Sequence, residues 1–401
     1  MPTLPSPEIL RPHYRRFLPV DGPHAGRILL TGHSHQAWPD VAREAQLEAF
    51  DDAAAHVDDK WSRAFAAAEA VREAVVAQLG APASRAADVA LAPNTHELVA
   101  RVLSACDLGT RRHLLSTRGE FHTVFRQLTR LAEAGLEVEL LEPLPAHTLA
   151  ERLASRVRQD TAAVFVSTVL FETSTVVPNL AAVNEAAARA GALVVLDAYH
   201  HVGVLPFDVS LLGPHTFLVG GGYKYLQWGE GNCFLVVPAG NTLRPIYTGW
   251  FADFAHLADP RDGRVVQYAE RGAERFAGST YDPTSHYRAR AVAKFFGTVG
   301  LTPAVLHASY ARQTSLIVAA LDRHSARAGG RLERISPAAS DARGGFVSVR
   351  VSDAARTVQA LRARDVFVDA RGDVLRLGPA PYLRDDELDA GVSALVDVVA
   401  G

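Results

Sequence analysis

Strand-like and helix-like segments alternate along most of this chain, and the alternation restricts the fold more than any other feature of the sequence. The apolar or β-branched runs are DVALAP, RHLLSTR, LEVELLEP, AAVFVSTVLF, ALVVLDAYH, HTFLVGG and NCFLVVP. Alanine-rich stretches with helical spacing, such as THELVARVLSAC and NLAAVNEAAARAG, lie between them. Because parallel strands need a crossover connection, usually a helix, the pattern predicts an α/β fold with a mainly parallel sheet that binds ligands at the carboxyl ends of its strands.

The pattern differs at the two ends of the chain. Residues 1–45 form an arm that contains Arg and Pro, and helical spacing over residues 46–79 ends at QLGAP. Beyond about residue 285, a long helix leads to short strands and to a final helix, DDELDAGVSALVDVVA. We therefore predict an N-terminal arm that contributes to the small domain and the active site (1–45), a large domain (46–285) and a small α+β C-terminal domain (286–401).

Charge and composition exclude several classes of function. The formal net charge is −3, so the chain has no overall positive field to attract nucleic acid. No apolar run reaches the roughly 20 residues of a membrane span, and the N-terminus lacks a secretory apolar segment. We expect a cytoplasmic protein with no nucleic-acid or membrane partner. The two cysteines, Cys106 and Cys233, are far apart in apolar stretches, which predicts buried thiols and no disulfide framework, and no metal site is predicted.

Lysine is rare in this sequence. Only Lys60, Lys224 and Lys294 are present among 41 basic residues, so the other 38 are arginines. A guanidinium stays protonated, whereas an amine can lose its proton and attack a carbonyl. Lys60 and Lys294 lie in helical segments where a solvated surface position explains them. Considered by itself, Lys224 can be explained in the same way, as a surface turn lysine.

Lys224 lies at a strand end that is next in sequence to another strand end with an acid. Asp197 ends the run GALVVLD, and the following strand breaks into three glycines before Tyr223 and Lys224. Pyridoxal 5′-phosphate (PLP) needs such a pair, because a carboxylate keeps its ring nitrogen protonated and an amine forms the Schiff base. Taken singly, Asp197 is explained as a turn or helix-capping acid; the two together are better explained by PLP. The glycines allow close approach to a cofactor or a sharp turn.

This segment resembles kynureninase and its relatives in the class V aminotransferase group of fold type I PLP-dependent enzymes. The matching residues are Asp197 with His200, Tyr223-Lys224-Tyr225-Leu226 and Gly229-Glu230-Gly231. The resemblance extends over nearly the whole chain. It implies a large domain with a mainly parallel seven-stranded-type sheet, PLP bound to Lys224, and Asp197 and His200 as catalytic residues beside it.

The resemblance also implies which residues hold the phosphate. Asn94, Thr95 and His96 would lie at the phosphate end, and Tyr223 would donate its hydroxyl to the phosphate. A polar turn that opens a helix suits this task independently, since it offers free N–H groups and a favourable dipole to a dianion.

Other positions would complete the cofactor site. Phe121 would stack on the pyridine ring, although an ordinary core aromatic is an equal explanation. Thr173, or Glu172 beside it, would approach the phenolic oxygen. Trp250 and Thr280 correspond to positions that reach the phosphate of a second subunit, which implies a homodimer with active sites at the subunit interface.

Three positions are implied on the substrate side. Arg376 would clamp the α-carboxylate of an amino-acid substrate, a task that suits a planar two-point donor, and Arg371 is the alternative. His33 and Ser34 would touch the substrate; Ser34 agrees with the family turn, whereas His33 replaces an asparagine. A solvated histidine turn is the other explanation of this segment.

The sequence departs from kynureninases mainly around the substrate. Val124 replaces an acid, Gln227 replaces an asparagine, and Ser-Thr-Tyr-Asp-Pro at 279–283 replaces Ser-Asn-Pro-Pro. We predict a kynureninase-like hydrolase or lyase, acting by Cβ–Cγ cleavage or β-elimination on an amino acid whose identity the sequence leaves open, since these changes fit a substrate different from kynurenine as well as kynurenine itself. A class V aminotransferase and a non-catalytic PLP-binding or regulatory protein are the alternatives. A cysteine desulfurase is not expected, because no cysteine follows Cys233.

Overall fold

The computed structural model describes residues 4–260, 263 and 265–401. The arm contains helix α1 (Pro7–Leu10) and strand β1 (Ile28–Leu29), which pairs in parallel with Val366–Phe367 near the C-terminus. Helices α2 (Val41–His56) and α3 (Lys60–Gln78) follow. The helix predicted over 46–79 therefore starts earlier and is interrupted, because Val57 adopts a left-handed φ of 48° that ends α2.

A seven-stranded sheet forms the centre of the molecule. Its strands are β2 (Val89–Ala92), β3 (His113–Thr117), β4 (Glu137–Leu141), β5 (Thr161–Ser167), β6 (Leu193–Asp197), β7 (Thr216–Gly221) and β8 (Cys233–Val236). Their spatial order is β2-β8-β7-β6-β5-β3-β4, and β8 is the one strand of this sheet that runs opposite in direction to the other six. All seven predicted strands lie in this sheet, and the predicted mainly parallel α/β architecture is confirmed.

Helices α4 (Thr95–Ala105), α5 (His122–Glu133), α6 (Leu149–Ala154) and α7 (Ala181–Ala190) cover the sheet. Alternate residues of one strand enter different apolar clusters: Val195 of β6 packs with α4 and α5, whereas Val194 and Leu196 pack with α6 and α7. Burial on both faces explains why the central strands read as continuous apolar runs in the sequence.

The C-terminal part contains α8 (Thr284–Thr298), α9 (Pro303–His324), β9 (Leu332–Arg334), β10 (Val347–Val351), α10 (Ala354–Arg362), β11 (Val366–Phe367), β12 (Asp369–Arg371), β13 (Val374–Leu377) and α11 (Asp385–Ala400). Strands β12, β13, β10 and β9 form an antiparallel sheet in that order. Sequence reasoning missed α9 and passed directly from α8 to β10.

The three predicted parts share one apolar core. Leu30 of the arm, Leu218 of β7 and Leu375 of β13 belong to the same buried cluster. The boundaries at residues 45 and 285 stay predictions. Within the described residues, no single helix is long and apolar enough to cross a membrane; α8 and α9, bent by 82°, satisfy length and composition only as a pair.

Candidate active site

A cavity of about 300 Å³ lies where the carboxyl ends of β5, β6 and β7 meet the start of α4 and α5. The topology brings these ends together because parallel strands start at one edge of the sheet and finish at the other. The residues that line the cavity include Asn94, Thr95, His96, Phe121, Ser167, Phe171, Asp197, Tyr199, His200, Tyr223, Lys224 and Cys233. Eight of the site residues predicted from the sequence therefore surround one space.

Lys224 is the central group of this cavity. Its amine lies 2.8 Å from Nε2 of His200 and 4.4 Å from the ring centre of Tyr199, and its residue is only 6% exposed. Burial lowers the pKa of Lys224 to about 7, although the charge of Asp197 opposes this shift. Roughly half of the amines are therefore neutral at pH 7, whereas an ordinary lysine is almost wholly protonated.

His200 is the hydrogen-bonding partner of that amine. Burial, together with the charges of Lys224 and Arg376, holds the pKa of His200 well below its ordinary value, so the ring is neutral. A neutral ring accepts from the Lys224 amine at Nε2, and its Nδ1 lies 3.3 Å from the Tyr225 hydroxyl. The imidazole is thus held on both sides.

Asp197 ends β6 and faces the cavity. Its carboxylate accepts from the backbone N–H of Tyr199 at 2.9 Å. Burial raises the pKa of Asp197, while the Lys224 charge acts in the opposite direction. A buried acid with little compensation inside the protein suits a cationic ligand group such as a protonated ring nitrogen.

The N-terminus of α4 forms another part of the cavity lining. Asn94 caps this helix by accepting from the N–H of Glu97 at 2.9 Å, and Thr95 and His96 form its first turn. The 11-residue helix directs its N-terminal dipole toward the cavity. An amine, a carboxylate, flanking aromatic rings and a helix N-terminus together match the aldehyde, ring nitrogen, ring and phosphate of PLP.

Arg376 and His33 lie behind the cavity wall rather than in it. Arg376 is 2% exposed and donates from Nε to Oδ1 of Asp369 at 3.0 Å and from Nη2 to the other oxygen. His33 is fully buried, with Nε2 2.7 Å from the same Oδ1. The solvated histidine turn considered for this segment is wrong, because Asp369 and the ring of Phe346 enclose His33.

The remaining predicted residues lie away from the cavity within this chain. Ser34 is buried and donates to the carbonyl of Thr31 at 3.1 Å. The Thr173 hydroxyl lies 2.8 Å from that of Thr175. Thr280 lines a larger neighbouring cavity of about 760 Å³, and Trp250 is 47% exposed close to it.

Two family models match this chain. The class V aminotransferase model matches residues 40–248, and the kynureninase C-terminal domain model matches residues 307–395. The chain belongs to the class V aminotransferase family. This membership, with the site described above, identifies PLP as the cofactor.

Among named proteins, the chain is similar to an aminotransferase and to a cysteine desulfurase. The uncharacterized aminotransferase YcbU of Bacillus subtilis is 24% identical over 383 residues, which are 95% of this chain and 96% of the relative. The cysteine desulfurase IscS of Aeromonas salmonicida is 29% identical over 171 residues, 42% of each chain.

Solved structures establish the fold type. A C-DES mutant with glycine covalently linked to its PLP cofactor superposes with a TM-score of 0.80 at 18% identity, covering 96% of this chain and 99% of the other. The cysteine desulfurase of Thermococcus onnurineus NA1 superposes with a TM-score of 0.78 at 18% identity, covering 100% and 99%. The predicted fold type I of PLP-dependent enzymes is confirmed.

Sequence reasoning missed Ser167, Phe171 and Tyr199, which line the cavity, and Glu120, which binds Ser167. Glu120 is buried and accepts from the hydroxyls of Thr117 at 2.7 Å and Ser167 at 2.6 Å; burial raises its pKa to about 7. Its position directly before Phe121 was the available signal. Cys233 is buried as predicted, whereas Cys106 is only partly buried.

Proposed function

We propose that this chain is a PLP-dependent hydrolase or lyase of the kynureninase type, which cleaves a Cβ–Cγ bond or eliminates a group from Cβ of an amino acid. The observation that carries the proposal is the buried Lys224 amine, 2.8 Å from the neutral His200 ring in a cavity that fits PLP. The match of residues 307–395 to the kynureninase C-terminal domain supports the kynureninase type.

Four side chains would act directly on PLP or on the Lys224 amine. PLP, when bound at Lys224, supplies an electron sink for negative charge that develops at the substrate Cα. Lys224 would hold the cofactor, and its freed amine would remove the Cα proton. His200 would orient that amine, and Asp197 would keep the ring nitrogen protonated. Phe121 would pack against the ring and keep water from that face.

The PLP phosphate would be bound by residues of both subunits. Asn94, Thr95, His96 and Tyr223 would bind the phosphate at the start of α4. Trp250 and Thr280, which do not line the Lys224 cavity of the same chain, would serve the phosphate of the other subunit in a homodimer.

Amino transfer is the second candidate. The relative that matches over 95% of this chain is named an aminotransferase, and the same cofactor residues would serve that reaction. Cysteine desulfuration is disfavoured, because Cys233 lies within strand β8, where burial raises its pKa to about 11 and keeps the thiol protonated.

Replacing Lys224 tests the cofactor assignment. The wild-type protein incubated with PLP should show the visible absorbance of a lysine-bound cofactor, and borohydride reduction should leave the added mass on the Lys224 peptide. Lys224→Ala should lose both signals, while Lys294→Ala, at an exposed lysine, should keep them. An unmodified Lys224 in the reduced wild type would contradict the proposal.

Dependence on an amino acceptor separates the two reactions. A hydrolase or lyase should form products from the amino acid alone, using kynurenine or an amino acid with a leaving group on Cβ. Amino transfer should require an added 2-oxo acid. Turnover that appears only with that acceptor would replace the hydrolase or lyase proposal with the aminotransferase.

A further inference from the structure

Asp369 forms a largely buried cross-strand ion pair with the guanidinium of Arg376. The two residues lie directly opposite each other on β12 and β13. Nε of Arg376 donates to Oδ1 at 3.0 Å, and Nη2 donates to Oδ2, so one full edge of the guanidinium is engaged. The third contact, from Nη1, goes to the carbonyl of Phe171 at 3.0 Å.

This pair lies one layer behind the Lys224 cavity. Phe171, whose carbonyl accepts from Arg376, is part of the cavity lining. The guanidinium also lies 5.7 Å from the ring centre of Phe346, whose ring is 5.1 Å from that of His200. Arg376 is 3% exposed at its side chain, and Asp369 is 18% exposed. The more accessible group of the pair is therefore the acid.

The buried part of this cluster, His33, Asp369 and Arg376, carries no net charge, and the exposed Arg371 adds a cation at its edge, with Nη1 3.6 Å from Oδ2 of Asp369. Although burial opposes ionisation, His33 and Arg376 hold the pKa of Asp369 well below its usual range. Burial lowers the pKa of His33 to about 4, so that ring is neutral. A neutral His33 must donate from Nε2 to Asp369 and leave Nδ1 bare, which agrees with the buried Nδ1 having no hydrogen-bonding partner. The positive charge of Arg376 and the negative charge of Asp369 therefore neutralise each other.

We propose that Asp369 is a specificity-determining residue. Its carboxylate accepts both hydrogen bonds from the Nε/Nη2 edge of Arg376, so that a substrate carboxylate binds this arginine only by displacing Asp369. The inference rests on the proposed amino-acid substrate. Because two carboxylates then compete for one guanidinium edge, a simple α-amino acid binds more weakly than the buried arginine alone would allow.

Neutralising Asp369 tests this competition. The PLP-loaded wild type and Asp369→Asn are titrated with L-alanine and with L-alaninamide, and dissociation constants are read from the change in cofactor absorbance. Asn fits the space but lacks the competing charge. We expect Asp369→Asn to tighten alanine binding by at least about tenfold, as for a gained hydrogen bond to a charged group. The amide, which has no carboxylate, should bind both proteins alike.

Two further variants make the result specific. Asp373→Asn removes an exposed acid of the same small domain that pairs with Arg350, and it should leave both constants unchanged. In the double variant Asp369→Asn with Arg376→Gln, the gain for alanine should disappear. If Asp369→Asn does not fold, Asp369→Ser, which keeps a hydroxyl near His33, takes its place.

The possible results are distinct. Unchanged alanine affinity, equal shifts for alanine and its amide, or a gain that persists without Arg376 would each overturn the role of Asp369. A wild type that never acquires cofactor absorbance would instead refute the proposed function itself.

Discussion

At the scale of single residues, burial sets the chemistry of Lys224. The amine is surrounded by aromatic rings and lies against a neutral imidazole, so it lacks the water that stabilises an ammonium group. The negative charge of Asp197 offsets only part of the destabilisation of the ammonium form. The consequence is an amine able to attack an aldehyde near neutral pH, which the rarity of lysine in the sequence only hinted at.

The rate of cofactor loading should therefore follow an unusually low pKa. Since the neutral amine is the reactive form and the pKa of Lys224 is about 7, the rate should rise between roughly pH 6 and 8 and level off above this range. Mixing apoprotein with PLP and following the absorbance measures it, with Nα-acetyl-lysine as the reference. A rate that still climbs beyond about pH 9 would show that Lys224 titrates as an ordinary lysine.

At the scale of elements, the glycines at the end of β7 have a packing explanation. A Cβ on Gly221 would lie 2.1 Å from the Tyr199 hydroxyl, and one on Gly222 would lie 2.2 Å from the Trp228 ring. The sequence suggested approach to a cofactor or a sharp turn. The structure adds a packing reason, because aromatic side chains fill the space beside Gly221 and Gly222 in the segment that carries Lys224.

Gly222→Ala should consequently destabilise the protein. Trp228 is 2% exposed and cannot move aside without disturbing the core, so we expect a loss of about 1–3 kcal/mol. Thermal unfolding, followed by circular dichroism, measures the lower midpoint. Gly297→Ala is the matched control: it lies in α8 with nothing within 4 Å of the added methyl group, and should be neutral or slightly stabilising. Equal midpoints for both variants would argue against the packing explanation.

At the scale of the whole molecule, one apolar surface has no covering element within the described chain. Trp250 and Phe254 are 47% and 46% exposed, and their rings lie 5.2 Å apart beside the larger cavity. Phe65 extends the cluster at 5.9 Å from Phe254. Adjacent exposed aromatic residues of this kind are typical of an interface, which agrees with the proposed homodimer.

A charge in this cluster should weaken the dimer. We expect Phe254→Glu to shift the protein toward monomer, because burying an unpaired carboxylate in an interface is costly. Light scattering coupled to size exclusion reports the mass. Val20→Glu, at a 97% exposed position on the arm, should leave the mass unchanged. A monomeric wild type would contradict the proposed dimer interface and the roles of Trp250 and Thr280 in it.

Local sequence pattern was enough to predict several features of the fold and site. The seven strands, the acid that ends β6, the lysine after β7 and the capped start of α4 all follow from apolar periodicity and from the residues that end it. Topology then required these strand ends to meet, so eight residues of the cavity around Lys224 could be predicted, whereas Tyr199, Ser167 and Phe171 could not. Only the tertiary structure decided what lies behind it: His33 and Arg376 are separated from each other by most of the chain, and Asp369 joins them through contacts 336 and 7 residues apart. Such a cluster depends on how the arm packs against the small domain, and neither local propensity nor spacing encodes that packing.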